Sequence, residues 1–370
     1  MTLPDHWLYL LTSAVFSGLA CVGLALRAEV LGLIDVPDRR KHHVGNTPIV
    51  GGIGMFFALI LTAAIYSFPL PSTPHFLFGA ALFLLIGLLD DRFELPARPR
   101  LIAQMLAVLV STVPSGLQLD HLGALLGPWM LSLGWLAIPF TMIAITGVAN
   151  AINMSDGIDG LSGSIALVSL SAFGIALGLI HAETGAGHSL LPLLIMLAGA
   201  LIGFLVFNLR TPWRSRASLF MGDAGTLFLG YTLAWLAVHL SQKLGPNGLP
   251  PVAALWILLV PLFDTLSCMI RRISEGKSPM SADRRHVHHL LLSRGISQGR
   301  VVVILVTINA CAGATGLLGW RLGVPDSLMF GVFLMLLTVF THQTVRFWKN
   351  QRIDTEPLQT PGLAPTGSGN

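Results

Sequence analysis

Carboxylates gather where apolar runs end in this chain: Asp90 and Asp91 close one run, Asp156 and Asp159 follow another, and Asp223 opens a third. Asp35, Asp264 and Asp283 occupy comparable positions, although charged residues make up only 11% of the sequence. Acids set together at one water–lipid boundary suit a hard divalent cation and the phosphate oxygens it can bridge. The pair Asp90-Asp91 points in directions about 100° apart on a helix, so its members reach one site without sharing a face. A carboxylate pair at a helix C-terminus also opposes the helix dipole, which a purely anchoring role does not explain.

The densest segment is Asn150-Ala151-Ile152-Asn153-Met154-Ser155-Asp156-Gly157-Ile158-Asp159-Gly160. Asn150 and Asn153 are three apart, as are Asp156 and Asp159, so a helical turn puts each pair on one face. Gly157 and Gly160 permit a break or a close backbone approach. Helix capping is the competing use of these residue types, but it does not need four polar groups in so short a stretch. Further on, Asn208, Arg210, Arg214 and Arg216 precede Phe220-Met221-Gly222-Asp223-Ala224-Gly225-Thr226. Guanidinium forks match phosphate oxygens, and the same arginines can also serve membrane orientation.

A last cluster, Asp283-Arg284-Arg285-His286-Val287-His288-His289, offers three imidazoles without a fourth zinc ligand at a familiar spacing. Phosphate binding by Arg285, His286, His288 and His289 is the better match. Asp264, inside an apolar run about two turns before Arg271, reads equally well as a buried structural acid. Gly51, Gly52 and Gly54 open an apolar helix rather than a strand–helix crossover, so close helix packing is expected there and a dinucleotide site is not.

The elements that position these groups must be membrane helices. Of the 370 residues 53% are hydrophobic, and the mean hydropathy is +0.73. A soluble domain carries about 25% charged residues. The fold expected is an all-α, polytopic integral membrane protein of about eleven helices. Their expected positions are 6–27, 49–68, 75–90, 100–118, 133–152, 160–180, 189–209, 223–241, 251–270, 300–320 and 326–346. The first run lacks a basic leader and reads as a retained helix rather than a signal peptide. Cys21, Cys268 and Cys311 all lie in apolar segments and imply no disulfide framework. The formal charge of +4 reports topology rather than nucleic acid: of the 22 Lys and Arg residues, only Lys243 and Arg321 fall on the face opposite the motifs. The positive-inside rule therefore turns the motifs to the cytosol. One membrane domain, 1–346, is expected, followed by a disordered cytosolic tail, 347–370, rich in Pro, Gly and Thr.

Taken in order, Asp90-Asp91-Arg92, Asn150 through Gly160, Phe220 through Gly225 and His286-Val287-His288-His289 resemble the motifs of the polyprenyl-phosphate N-acetylhexosamine-1-phosphate transferases. The His-x-His-His form and Gly276-Lys277-Ser278-Pro279 resemble the undecaprenyl-phosphate N-acetylglucosaminyl-1-phosphate branch. The muramoyl-pentapeptide branch shows three consecutive histidines instead. Met280 and Thr226 depart from the usual Phe and Ser without removing a charged group.

The resemblance implies transfer of N-acetylglucosamine 1-phosphate from UDP-N-acetylglucosamine to undecaprenyl phosphate, with release of UMP, in a bacterial inner membrane. It implies Mg²⁺, or Mn²⁺, held by Asp223 and Asn153. Asp156 and Asp159 are then the groups that position the donor, and Phe220 stacks on uracil. Asn150, Asn208, Arg285 and the three histidines bind substrate, while Asp90 and Asp91 organise the acceptor phosphate, with Asp91 the better placed for any proton transfer. Membrane lipid is a further partner, a homodimer is compatible with this reading, and nucleic acid is not expected. A muramoyl-pentapeptide transferase and a cation-coupled transporter are the alternatives. A transporter places its acids near the bilayer midplane, not at helix ends.

Overall fold

The computed structural model describes residues 6–35, 46–67, 73–186, 190–245, 247–281 and 285–354. Arg39, Arg40, Lys41 and Asp283 lie outside the described residues. The helices are α1 (His6–Ala25), α2 (Ala28–Leu31), α3 (Gly51–Ile65), α4 (Thr73–Phe93), α5 (Ala97–Thr112), α6 (Ala137–Met154) and α7 (Leu161–Thr184). They continue as α8 (Leu191–Asn208), α9 (Gly222–Gln242), α10 (Pro251–Ile257), α11 (Leu259–Ser274), α12 (Val287–Ser293), α13 (Gln298–Arg321) and α14 (Asp326–Asp354). The protein is an all-α polytopic membrane protein.

Every expected span overlaps a helix, but the count of eleven crossings does not follow. Among the described residues, seven helices are long and apolar enough to cross a bilayer, or eight if α10 and α11 form one broken span. Helix α3 is short, with 15 residues, α4 closes on the charges Asp90, Asp91 and Arg92, and α5 opens with Arg98 and Arg100. Helix α14 runs past the expected boundary at 346 to Asp354, so that part of the expected tail is helical, and 355–370 lies outside the described residues.

Helix α9 sits at the centre, packed against α3, α4, α6 and α7. Small residues make that possible: a Cβ on Gly52 would come 2.5 Å from Gly225 Cα, and one on Gly87 would come 2.5 Å from Ala224 Cα. Without lipid-to-protein hydrophobic gain, close backbone contact of this kind holds membrane helices together. It brings the N-terminal end of α3 and the C-terminal end of α4 against the first turn of α9.

The expected span 251–270 is bent by 86° between α10 and α11. Pro261 supplies no N–H, and the remaining freed groups find partners inside the bundle. Asn309 of α13 accepts from Val260 N–H at 3.2 Å and donates to the Ile257 carbonyl at 3.1 Å. Ser169 of α7 donates to that same carbonyl at 3.0 Å. The bend redirects α11, whose face bearing Asp264, Cys268, Arg271 and Arg272 is buried. Two short strands, β1 (Ile34–Asp35) and β2 (Thr47–Pro48), pair antiparallel, with Asp35 opposite Thr47. Phe220 N–H donates to the Pro48 carbonyl at 2.8 Å, which ties this hairpin to the entry of α9.

Candidate active site

A cavity of about 1100 Å³ opens where these helix ends converge. Asp35, Asp90, Asp91, Asp156, Asp159 and Asp223 line it, with Asn153, Asn208, Phe220, His289, Arg100, Arg210 and Arg216. Three motifs that are far apart in sequence are thus one site, and the histidine motif reaches it through His289. Asn150, Arg285, His286 and His288 do not line the cavity.

The acids are held in different ways. Asp90 is buried, accepts Leu95 N–H at 2.8 Å and pairs with Arg100 from the first turn of α5. Asp91 faces α9: its two oxygens accept Asp223 N–H at 2.8 Å and Ala224 N–H at 3.0 Å. These are orphan donors of a helix N-terminus, so Asp91 caps α9 from a neighbouring helix. Gly222, just before, has φ of +75°, a left-handed conformation that glycine adopts without strain.

Asn153 donates through Nδ2 to Asp223 Oδ1 at 2.7 Å and to Thr226 Oγ1 at 2.9 Å. Its carbonyl Oδ1 is thereby available to a cation beside the Asp223 carboxylate. An amide oxygen and a carboxylate at the wall of the cavity fit Mg²⁺, which takes a few protein groups and completes its shell with water and substrate. Asp159 is committed to structure as well as to the site, since it pairs with Arg210 Nε at 2.8 Å and accepts Ala217 N–H at 3.0 Å.

Asp156 is exposed to the cavity and ringed there by protein groups. That partial desolvation, together with the carboxylates of Asp223 and Asp159, raises its pKa to about 7. Burial of the site is the larger cause, and the two neighbouring carboxylates add to it.

Asn208 accepts Gly160 N–H at 2.9 Å and donates to the Leu219 carbonyl at 3.0 Å, so it joins the Asp156–Asp159 loop to the segment before α9. Asn150 instead bonds to Gln104 of α5 at 2.5 Å and to the Thr146 carbonyl. Arg285 makes a two-pronged pair with Glu275, at 2.7 and 2.8 Å. His288 is buried, and a Cβ on Gly157 would overlap its Nε2. The histidine therefore rests on the backbone between Asp156 and Asp159. Burial, with His289 and His286 adding to it, lowers the His288 pKa to about 3.

The residue that sequence reasoning passed over is Arg100. It stood among the basic residues that report topology, and its pairing with Asp90, ten positions away across the α4–α5 turn, is a tertiary contact. A second cation close after an acidic pair, in Pro96-Ala97-Arg98-Pro99-Arg100, was the available signal.

Residues 73–241 match the model of glycosyl transferase family 4, which covers the Asp90-Asp91, Asn153–Asp159 and Asp223 motifs. Over 323 residues the chain is 35% identical to an undecaprenyl-phosphate alpha-N-acetylglucosaminyl 1-phosphate transferase of Yersinia pestis, with 87% of each chain covered. It belongs to this transferase family. The same description attaches to an Escherichia coli O157:H7 protein that is 34% identical over 327 residues, covering 88% of this chain and 87% of its own. A Haemophilus influenzae protein so described is 33% identical over 325 residues, covering 88% and 90%. This transferase thus shares nearly its whole length with its relatives, the histidine segment included.

Proposed function

We propose that the protein transfers N-acetylglucosamine 1-phosphate from UDP-N-acetylglucosamine to undecaprenyl phosphate at the cytosolic face of a bacterial inner membrane, releasing UMP. The observation that carries this reading is the single cavity that joins Asp223, Asn153, Asp156 and Asp159 to the cations Arg100 and Arg210 at the inner ends of membrane helices. A water-soluble nucleotide donor and a lipid-bound phosphate meet at such a boundary. The relatives of this length, described by that activity, support the same reading.

An acceptor phosphate oxygen attacks the donor phosphorus that bears the sugar, a new phosphoanhydride forms, and the old one breaks to release UMP. One anhydride replaces another, so the task is alignment and charge neutralisation. Asp223 and Asn153 would hold Mg²⁺, or Mn²⁺, which supplies charge neutralisation to the diphosphate. Phe220 at the cavity wall offers a ring face to uracil. Arg100 stands where the acceptor phosphate approaches, and Asp90 fixes its guanidinium.

A phosphate monoester with its second pKa near about 6 is already largely dianionic at neutral pH, so a general base is dispensable. Asp91 agrees with this: each of its oxygens already serves an α9 amide. Its work is to place Asp223.

The test is UMP release by the purified protein in detergent, with undecaprenyl phosphate and Mg²⁺. Release with UDP-N-acetylglucosamine and not with UDP-N-acetylmuramoyl-pentapeptide is expected. Release with the pentapeptide donor alone would move the protein to the peptidoglycan branch, and metal-independent silence of a folded sample with every UDP-sugar would end the transferase reading.

A further inference from the structure

We infer that Asp264 is a positioning residue for the transfer, acting through His286 to hold the His-x-His-His segment against the acidic loop. The inference rests on the transferase reading above. Asp264 does not line the cavity and is only 4% exposed. Its oxygens nevertheless have specific tasks.

Helix α12 begins after His286, whose backbone is extended and whose own side chain provides no cap. The cap comes from α11: Asp264 Oδ1 accepts Val287 N–H at 2.7 Å. The other oxygen meets His286 Nδ1 at 2.8 Å. One carboxylate therefore fixes both where the helix starts and how its first imidazole is turned. With Nδ1 bonded to Asp264, the orientation of the ring is set and Nε2 is directed away from α11.

Neighbouring groups on the same face of α11 grip the adjoining backbone. Cys268 Sγ lies 3.5 Å from the Arg285 carbonyl, and Arg271 Nη1 donates to that carbonyl at 2.8 Å. Arg272 Nη1 donates to the Pro279 carbonyl at 2.7 Å.

From His286 the arrangement leads to the cavity. Its ring is parallel to that of His288, with centroids 5.8 Å apart and planes within 3°. His288 rests on Gly157, and His289 lines the cavity. A change in the angle of His286 is thus carried to the loop bearing Asp156 and Asp159.

Asp264, Cys268 and His286 also have ligand-type atoms within 4.8 Å of one another. Both Asp264 oxygens already accept N–H bonds, so the geometry is that of a hydrogen-bonded clamp rather than a metal centre.

The experiment compares steady-state kinetics of Asp264→Asn, His286→Gln and the double variant with the wild type, in detergent, with both substrates varied. Loss of a hydrogen bond to a charged group leads us to expect donor KM to rise about tenfold in Asp264→Asn, with acceptor KM nearly unchanged. The double variant is expected to be no worse than the weaker single, because the two residues act as one unit. Asp264→Glu, which keeps the charge, should recover part of the donor affinity and serves as the test if the Asn variant does not fold.

Additive losses in the double variant would overturn the proposal. So would a fall in kcat with both KM values unchanged, which is what a merely structural role produces. Stoichiometric zinc in the wild type that disappears in Asp264→Asn would overturn the hydrogen-bond assignment. An active wild type with an unaltered Asp264→Asn refutes this inference alone, whereas an inactive wild type refutes the transferase reading beneath it.

Discussion

The two walls of the cavity are built by different means. On the acidic side, Asp223 is set by backbone: α9 is clasped by α3 and α4 at Gly52 and Gly87, and its first amides are bonded to Asp91. On the histidine side, position depends on side chains reaching from a bent helix, chiefly Asp264 to His286 and Val287. Backbone contact tolerates almost no displacement, whereas a side-chain clamp can yield and re-form. The rigid wall holds the groups suited to a cation, and the adjustable wall brings His289 to the cavity.

The contrast is tested most severely at Asp223. Asp223→Ala should reduce turnover by about 10²–10³-fold, the loss typical of removing a principal electrostatic stabiliser, without altering thermal stability in detergent. Asp91→Asn keeps an acceptor for one α9 amide and loses the other, so a fall of about 10–100-fold is expected, as for partners that orient a ligand. The fall should be equal near pH 6 and near pH 9. A defect confined to low pH would restore a proton-transfer role to Asp91.

Next comes packing. Gly87→Ala brings a Cβ into the α9 backbone and should cost about 1–3 kcal/mol, read from unfolding in detergent, together with activity. Gly178→Ala, where nothing lies within 4 Å, is the matched control and should leave both unchanged.

The smallest effect is on the histidine wall. Burial disfavours the His286 cation, but hydrogen bonds with Asp264 and Cys268 outweigh it and raise its pKa to about 10. A group whose folded pKa exceeds its unfolded value of about 6.5 stabilises fully below that value and loses the contribution as pH rises through the folded pKa. The difference in thermal midpoint between wild type and Asp264→Asn should therefore be widest near pH 6 and shrink toward pH 10. A gap that widened with pH would mean that the pair is not ionic.

Much of this was legible in the sequence because the motifs sit where hydropathy changes. Asp90, Asp156 and Asp223 mark helix ends, and helix ends converge at one boundary when the chain crosses a bilayer repeatedly. The bend at Leu258 was not legible, since apolar character continues through it and the groups that satisfy it, Asn309 and Ser169, come from other helices. Partner choice was hidden for the same reason. Asn150 has the residue type and spacing of a ligand, yet it turns to Gln104, and Arg285 turns to Glu275. Local spacing tells which face a side chain occupies, but not which helix will stand opposite.

The central position of α9 bears on how the protein is made. Of the seven long apolar helices it has the lowest mean hydropathy and is the most completely enclosed by its neighbours. Small and hydroxylated residues such as Gly225, Thr226, Gly230 and Thr232 serve close contact with protein and give little drive toward lipid. As it leaves the ribosome, α9 partitions into the bilayer less readily than α8, and α3, α4, α6 and α7 have been synthesised before it. Docking against those earlier helices then completes its insertion, so that the acidic wall of the site closes only when the ninth helix arrives and the histidine wall follows.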